Sequence, residues 1–159
     1  MRGIVSSKIC KFVTKIELWI PGEPRPKLRG VPATKRVGNM TVPYVRDHID
    51  NAPNEAFVAS CWQDLLIEKS SDFGDLNFPL TKEDGYGFRV YGYALYRGFV
   101  GPKLTRPDVD NLSKLVYDAL NNKLWKDDGM LFDGGRTLKW FAGDVEGYLA
   151  VIEVYQWKK

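Results

Sequence analysis

Two short acidic runs are where the types and spacing of residues could do chemistry. One is Asp108-Val109-Asp110, within Thr105-Arg106-Pro107-Asp108-Val109-Asp110-Asn111-Leu112-Ser113-Lys114; the other is Asp127-Asp128, after Leu124-Trp125-Lys126. Neighbouring carboxylates repel unless water or a cation neutralises them. A carboxylate set without Cys or His selects a hard ion, Mg²⁺ or Mn²⁺ rather than Zn²⁺. Such an ion activates water and stabilises charge on a phosphoryl oxygen, the basic requirements of phosphodiester hydrolysis. Lys114 beside it would neutralise the scissile phosphate or assist the leaving oxygen. Other chemistries lack their residues. His48 is the only histidine and Cys10 and Cys61 the only cysteines, too few for a zinc site, and no nucleophile motif surrounds His48.

The elements that must position these groups follow from the pattern around them. Val109 to Asn122 reads as an amphipathic helix with Asn121-Asn122 as its stop. At about 100° per residue, Lys114 falls about 40° from Asp110, while Leu112, Leu115, Val116 and Ala119 centre on the opposite side. The helix therefore buries its aliphatic face and presents Asp110 and Lys114 together. Asp108 shares that site only if it lies at the helix entry, before regular helix begins, a placement Pro107 favours. Each residue also has an ordinary structural role open to it. Asp108 suits a helix cap, Asp110 and Lys114 an i,i+4 ion pair, and Asp127-Asp128 a solvated turn. Two acidic pairs flanking one helix favour a site over three separate coincidences. In extended backbone Asp127 and Asp128 point opposite ways, so only one of the two enters the site.

Around this centre, Phe12–Ile20 reads as a strand with Ile16, Leu18 and Ile20 on one side. Pro21-Gly22-Glu23-Pro24-Arg25-Pro26 ends it. Lys27–Asn51 has no sustained period and reads as a long loop. Asn54–Lys69 reads as a helix with Phe57, Val58, Cys61, Trp62, Leu65 and Leu66 on its apolar face. Residues 70–86 read as a surface insertion, Gly87–Arg97 as a strand and Gly98–Pro107 as a loop. Met130–Phe141 and Gly147–Trp157 complete the pattern as two strands. The order β-α-β-α-β-β predicts one α+β, two-layer domain over residues 1–159, with a small mixed sheet, two main helices and an N-terminal leader at 1–11. Most of the five tryptophans suit core packing.

Net charge is +3, but its distribution is uneven. Residues 1–50 hold ten Lys/Arg against four Asp/Glu, a balance of +6, whereas residues 51–100 hold four against seven, a balance of −3. The excess at Lys27, Arg29, Lys35, Arg36 and Arg46 suits contact with phosphates, and Arg106 beside the acidic pair suits it better still. No apolar run approaches the ~20 residues of a membrane span, and the start of the chain lacks a signal-peptide core, so the expectation is a cytosolic protein.

Arg106-Pro107-Asp108-Val109-Asp110-Asn111-Leu112-x-Lys114, then Asp118-Ala119-Leu120, then Trp125-x-Asp127-Asp128, resembles the RusA family of Holliday-junction resolvases. Pro21-Gly22-x-Pro24-x-Pro26-Lys27-x-Arg29 is similar to that family's N-terminal region, as is a lysine on the strand after the acidic pair, here Lys139. The resemblance implies a homodimeric, Mg²⁺- or Mn²⁺-dependent endonuclease that nicks four-way DNA junctions symmetrically, in recombination and repair. It places the essential aspartates at Asp108, Asp110 and Asp128, with Asp127 the alternative to Asp128, and the catalytic lysine at Lys114; the residues expected to face DNA are Lys27, Arg29, Arg36, Arg106 and Lys139. It also implies a bacterial, prophage or phage setting. A flap or fork nuclease, or a junction-binding module without cleavage, is the alternative.

Overall fold

Alternation of apolar and polar residues builds the sheet. The structure is a computed structural model and describes residues 10–157; most of the leader lies outside that range. Strands β1 (Cys10–Pro21), β4 (Tyr86–Tyr96), β5 (Gly98–Pro102), β6 (Leu131–Gly143) and β7 (Gly147–Trp157) form one mixed sheet in the order β1-β7-β4-β6-β5. All neighbours are antiparallel except β4 and β6, which run parallel. Ile16, Leu18 and Ile20 of β1, Val90 and Ala94 of β4, and Ala150, Ile152 and Val154 of β7 are buried together. Helices α1 (Asn51–Glu68) and α2 (Val109–Leu120) supply Val58, Trp62, Leu112, Val116 and Leu120 to the same core. Burying these side chains is the main source of stability. The α+β class with two main helices is as expected.

Three segments differ from the sequence reading. Lys27–Asn51 is not a structureless loop: β2 (Val31–Val37) and β3 (Met40–Arg46) pair as a separate two-stranded sheet. Neither strand has a buried face, so no apolar period marks them. Pro32 and Pro43 are tolerated because each strand of a two-stranded ribbon has a free edge. Within Gly98–Pro107, residues 98–102 form the edge strand β5, too short and glycine-rich to read as one. Within the supposed surface insertion, Phe73 and Leu80 are buried, and Trp62 packs edge-on to Phe78 at 5.0 Å. These apolar residues are spaced irregularly and so carried no signal. Two residues assigned to the leader, Cys10 and Lys11, pair in β1 with Trp157 and Gln156.

Elsewhere the local signals hold. α2 ends at Leu120, with Asn121 as its C-cap and Asn122 in the left-handed region at φ 61°, a conformation asparagine tolerates. Trp62 and Trp125 are fully buried, whereas Trp19 is 40% exposed. No described helix is long and apolar enough to cross a membrane.

Candidate active site

The chain enters α2 through a segment held by lysines. Lys103 donates to the Thr105 hydroxyl at 2.8 Å, and its ammonium lies over the Tyr96 and Phe141 rings. Lys139, on β6, donates to the main-chain oxygens of Thr105 at 2.6 Å and Pro107 at 2.8 Å. The residue assigned to DNA thus places two of its hydrogen bonds on the backbone leading to Asp108. The Arg106–Pro107 peptide is cis. Asp108 follows in extended conformation, φ −72° and ψ 146°, and Val109 is the first helical residue. Asp108 therefore sits at the helix entry, as the spacing required.

Asp108 at the N-cap and Asp110 in the first turn stand where carboxylates favour the helix dipole, but the hydrogen-bond and ion-pair roles open to these residues are not taken. The Asp108 side chain makes no capping hydrogen bond. Among the described residues Lys114 forms no ion pair, with Asp110 or any other carboxylate. Asp108, Asp110 and Lys114 are all exposed.

The second acidic run is set by buried neighbours. The Trp125 indole N–H donates to the Asn121 side chain at 3.0 Å, and its ring meets Phe88 edge-on at 5.2 Å. Leu80 brackets the same stretch: its N–H donates to Leu124 O, and its carbonyl accepts from the Lys126 N–H, both at 2.9 Å. The insertion thus fixes the segment from which Asp127 and Asp128 emerge. Asp127 is extended and Asp128 opens a single 3-10 turn, Asp128–Met130. The two carboxyls therefore do not diverge as consecutive extended residues would. Burial pushes the Asp128 carboxyl up from its ordinary range; the charges of Asp127 and Asp118 and a hydrogen bond with Asp127 add to this, and Lys114 opposes it.

Polar ties hold α2 against the sheet beneath this surface. Ser113, buried, donates to Val109 O at 2.9 Å and shares a hydrogen bond with Thr137 at 3.0 Å. Thr137 in turn bonds Tyr148, whose hydroxyl burial pushes up to about 12. The Gly135 N–H donates to the Tyr117 hydroxyl at 2.6 Å. Such a satisfied buried network favours one helix position over others.

Three residues given no role in the sequence reading, Glu55, Asp118 and Asn51, complete the surroundings. Lys27, assigned to DNA, is instead enclosed by carboxylates. Its ammonium pairs with Glu55, lies 3.1 Å from Asp118 and is 4.0 Å from Asp47. Its main-chain N–H donates to Asn111 O at 2.9 Å, one residue beyond Asp110. Asn51, fully buried, accepts from the Leu28 N–H and donates to Leu28 O and Asp47. Asp118 did carry a signal, its spacing of four from Lys114, whereas Glu55 and Asn51 belong to another helix and carried none. Arg29, Arg36 and Arg106 are exposed and form no ion pair among the described residues.

The donor set has the chemistry of a hard cation site, oxygen ligands without Cys or His. It is not assembled as one: among the described residues no three His, Cys, Asp or Glu side chains gather closely enough to hold a metal ion. The expected set of Asp108, Asp110 and Asp128 is therefore not a preformed cage. Like charges have no reason to converge without a cation between them. Along α2, Asp128 senses both Lys114, one turn beyond Asp110, and Asp118, about 12 Å of helix rise beyond it.

Fold and site together define an α+β protein with carboxylates at a helix entry and at a following turn. Residues 94–146 match the family model described as endodeoxyribonuclease RusA. The match covers 53 of the 159 residues and includes Asp108, Asp110, Lys114, Asp127, Asp128 and Lys139. The resemblance read from the acidic runs is thus the one the family model finds. No curated protein matches the chain.

Proposed function

We propose that this protein is a metal-dependent, structure-selective endonuclease that resolves four-way DNA junctions by paired symmetric nicks. The observation that carries the reading is the unoccupied role of Asp108 and Lys114: within a segment matching an endodeoxyribonuclease family, neither makes the structural contact its position offers. Asp108, Asp110 and Asp128 would hold Mg²⁺, for which Mn²⁺ substitutes, with Asp127 the alternative to Asp128. The Asp128 carboxyl is pushed up first by burial and then by the charges of Asp127 and Asp118; a cation would offset those charges, which supports the assignment. When bound, the ion supplies an activated water and charge stabilisation at the phosphoryl group.

The chain's own residues then have distinct tasks. Lys139 fixes the backbone of Thr105 and Pro107, and so the start of the acidic run. Lys114 stabilises developing charge on the phosphate, and exposed Arg106 binds a flanking phosphate. Two nicks across one junction require two such sites, which a homodimer provides. The setting would be the cytoplasm of a bacterium or a phage-infected host.

The test is cleavage of a mobile four-way junction with Mg²⁺, with nick positions mapped, by the native protein and by Asp110→Asn. The native protein should make paired nicks near the branch. The variant should cleave slower by orders of magnitude while metal-free junction binding persists. Equal cleavage of linear duplex and junction, or normal cleavage by Asp110→Asn, would remove the reading.

A further inference from the structure

The segment between β1 and α1 is the most one-sidedly charged part of the chain. Residues 27–46 hold Lys27, Arg29, Lys35, Arg36 and Arg46 and no Asp or Glu. Lys27 is spent on carboxylates. The other four have no ion-pair partner among the described residues, and Lys35 lies over the Tyr44 ring at 5.5 Å. These cations are carried on the β2–β3 ribbon and its base. The ribbon pairs from Val31↔Arg46 to Val37↔Met40 and turns at Gly38-Asn39, with Gly38 at φ 62°. Its strands pack chiefly on one another, and none of their residues is buried.

An isolated two-stranded ribbon is at best marginally stable in water, and this one also exposes Val37, Met40 and Val45. It therefore lacks a second surface. Its base, by contrast, is fixed. Asn51 grips both main-chain polar groups of Leu28, and the Lys27 N–H is bonded to Asn111 O. At Gly30 a Cβ would run into the Val45 side chain, so the strands close tightly just above the anchor.

We infer that the β2–β3 ribbon is a DNA-gripping arm that lies in a groove of a duplex flanking the cleavage point. Four unpaired cations without a carboxylate match a phosphate-lined surface, not a second copy of the same cationic ribbon. A two-stranded ribbon also has the width that the major groove of B-DNA admits. Because its base is bonded to α2 beside Asp110, the gripped duplex is held at a set distance from the acidic residues. The inference rests on the nuclease reading only for which DNA is cut.

The experiment measures metal-free binding of the full chain to a four-way junction and to a linear duplex, over a range of salt concentrations. The variants are Lys35→Ala/Arg36→Ala and a chain in which residues 32–45 are replaced by Gly-Ser-Gly. Thermal melting and sedimentation accompany each. Removing two phosphate contacts should flatten the slope of log affinity against log salt by about two and weaken binding about tenfold or more at moderate salt. The shortened chain should lose, in a hydroxyl-radical footprint, the protection flanking the branch while keeping its melting temperature. Unchanged slope and footprint would overturn the arm, as would loss of self-association with DNA affinity per subunit unchanged. Should the native protein cut no junction, the nuclease reading fails while the linear-duplex measurement still decides the arm.

Discussion

The Lys27 ammonium stands 3.1 Å from Asp118, joining the proline-rich exit of β1 to the last turns of α2. The contact is partly enclosed, with 17% of the lysine side chain and 25% of the aspartate side chain exposed. Burial works to lower the Lys27 pKa, but hydrogen bonds and charge from Glu55 and Asp118 outweigh it and the net shift is upward. Lys27 thus balances Glu55 and Asp118, and Asp118 in turn bears on Asp128.

Lys27→Met should therefore lower stability, leaving Glu55 and Asp118 half-enclosed and uncompensated. A loss of about 1–3 kcal/mol is expected, between the values for exposed and buried pairs. That corresponds to a fall of several degrees in Tm for a chain of this size. Adding Glu55→Gln should restore part of it in a double-mutant cycle. The raised pKa fixes the pH dependence: the contribution is full below the ordinary lysine range and lost as pH rises through the folded-state value. A native-like melt from Lys27→Met at pH 7 would refute the balancing role.

Asp128→Asn should raise Tm while reducing cleavage by orders of magnitude. A carboxyl whose folded pKa lies above its unfolded one weakens the fold once ionised. The penalty is absent below the ordinary carboxylate range, grows as pH rises toward the folded-state value and is full above it. The variant's advantage should thus appear at pH 7 and vanish in acid. Mg²⁺ should raise the Tm of the native protein and not of the variant. A native protein indifferent to Mg²⁺ in the melt would count against Asp128 as a ligand.

Lys114→Met separates chemistry from structure. With no ion pair to lose, the melt should be close to native, as should junction binding. The single-turnover cleavage rate should fall at least about a hundredfold, the loss expected when a group stabilising transition-state charge is removed. Normal cleavage would leave Lys114 as surface.

Lys139→Met tests a positioning role against phosphate binding. Freeing the carbonyls of Thr105 and Pro107 should raise the Mg²⁺ concentration needed for half-maximal cleavage and lower the saturated rate, with the salt slope of DNA binding unchanged. A slope flatter by about one, with normal saturated cleavage, would return Lys139 to the DNA contacts.

The placement of the acidic residues at the start of α2 was legible because its signals are local. Asp108 before a helix start, Asp110 and Lys114 one turn apart, and asparagines closing α2 are all decided within a few residues of the chain. The family resemblance lay in the same stretch. The amphipathic strands and helices were legible for a related reason: a buried face imposes its period on the sequence, and β1, α2 and β7 each bury one.

Tertiary structure alone decided what each charge does. Lys27 and Arg29 look alike in sequence, yet one is enclosed by Glu55 and Asp118, from helices far along the chain, and the other is exposed. Lys139 turns to the backbone before Asp108 because β6 runs parallel to β4 and beside β5, a pairing no local pattern encodes. The ribbon at 31–46 escaped because it buries no face and so writes no period. Leu80 escaped because a single residue pairing with the Trp125 segment has no repeat. Sequence fixes residue chemistry and local geometry; long-range packing sets the neighbours that spend, free or shift each charge.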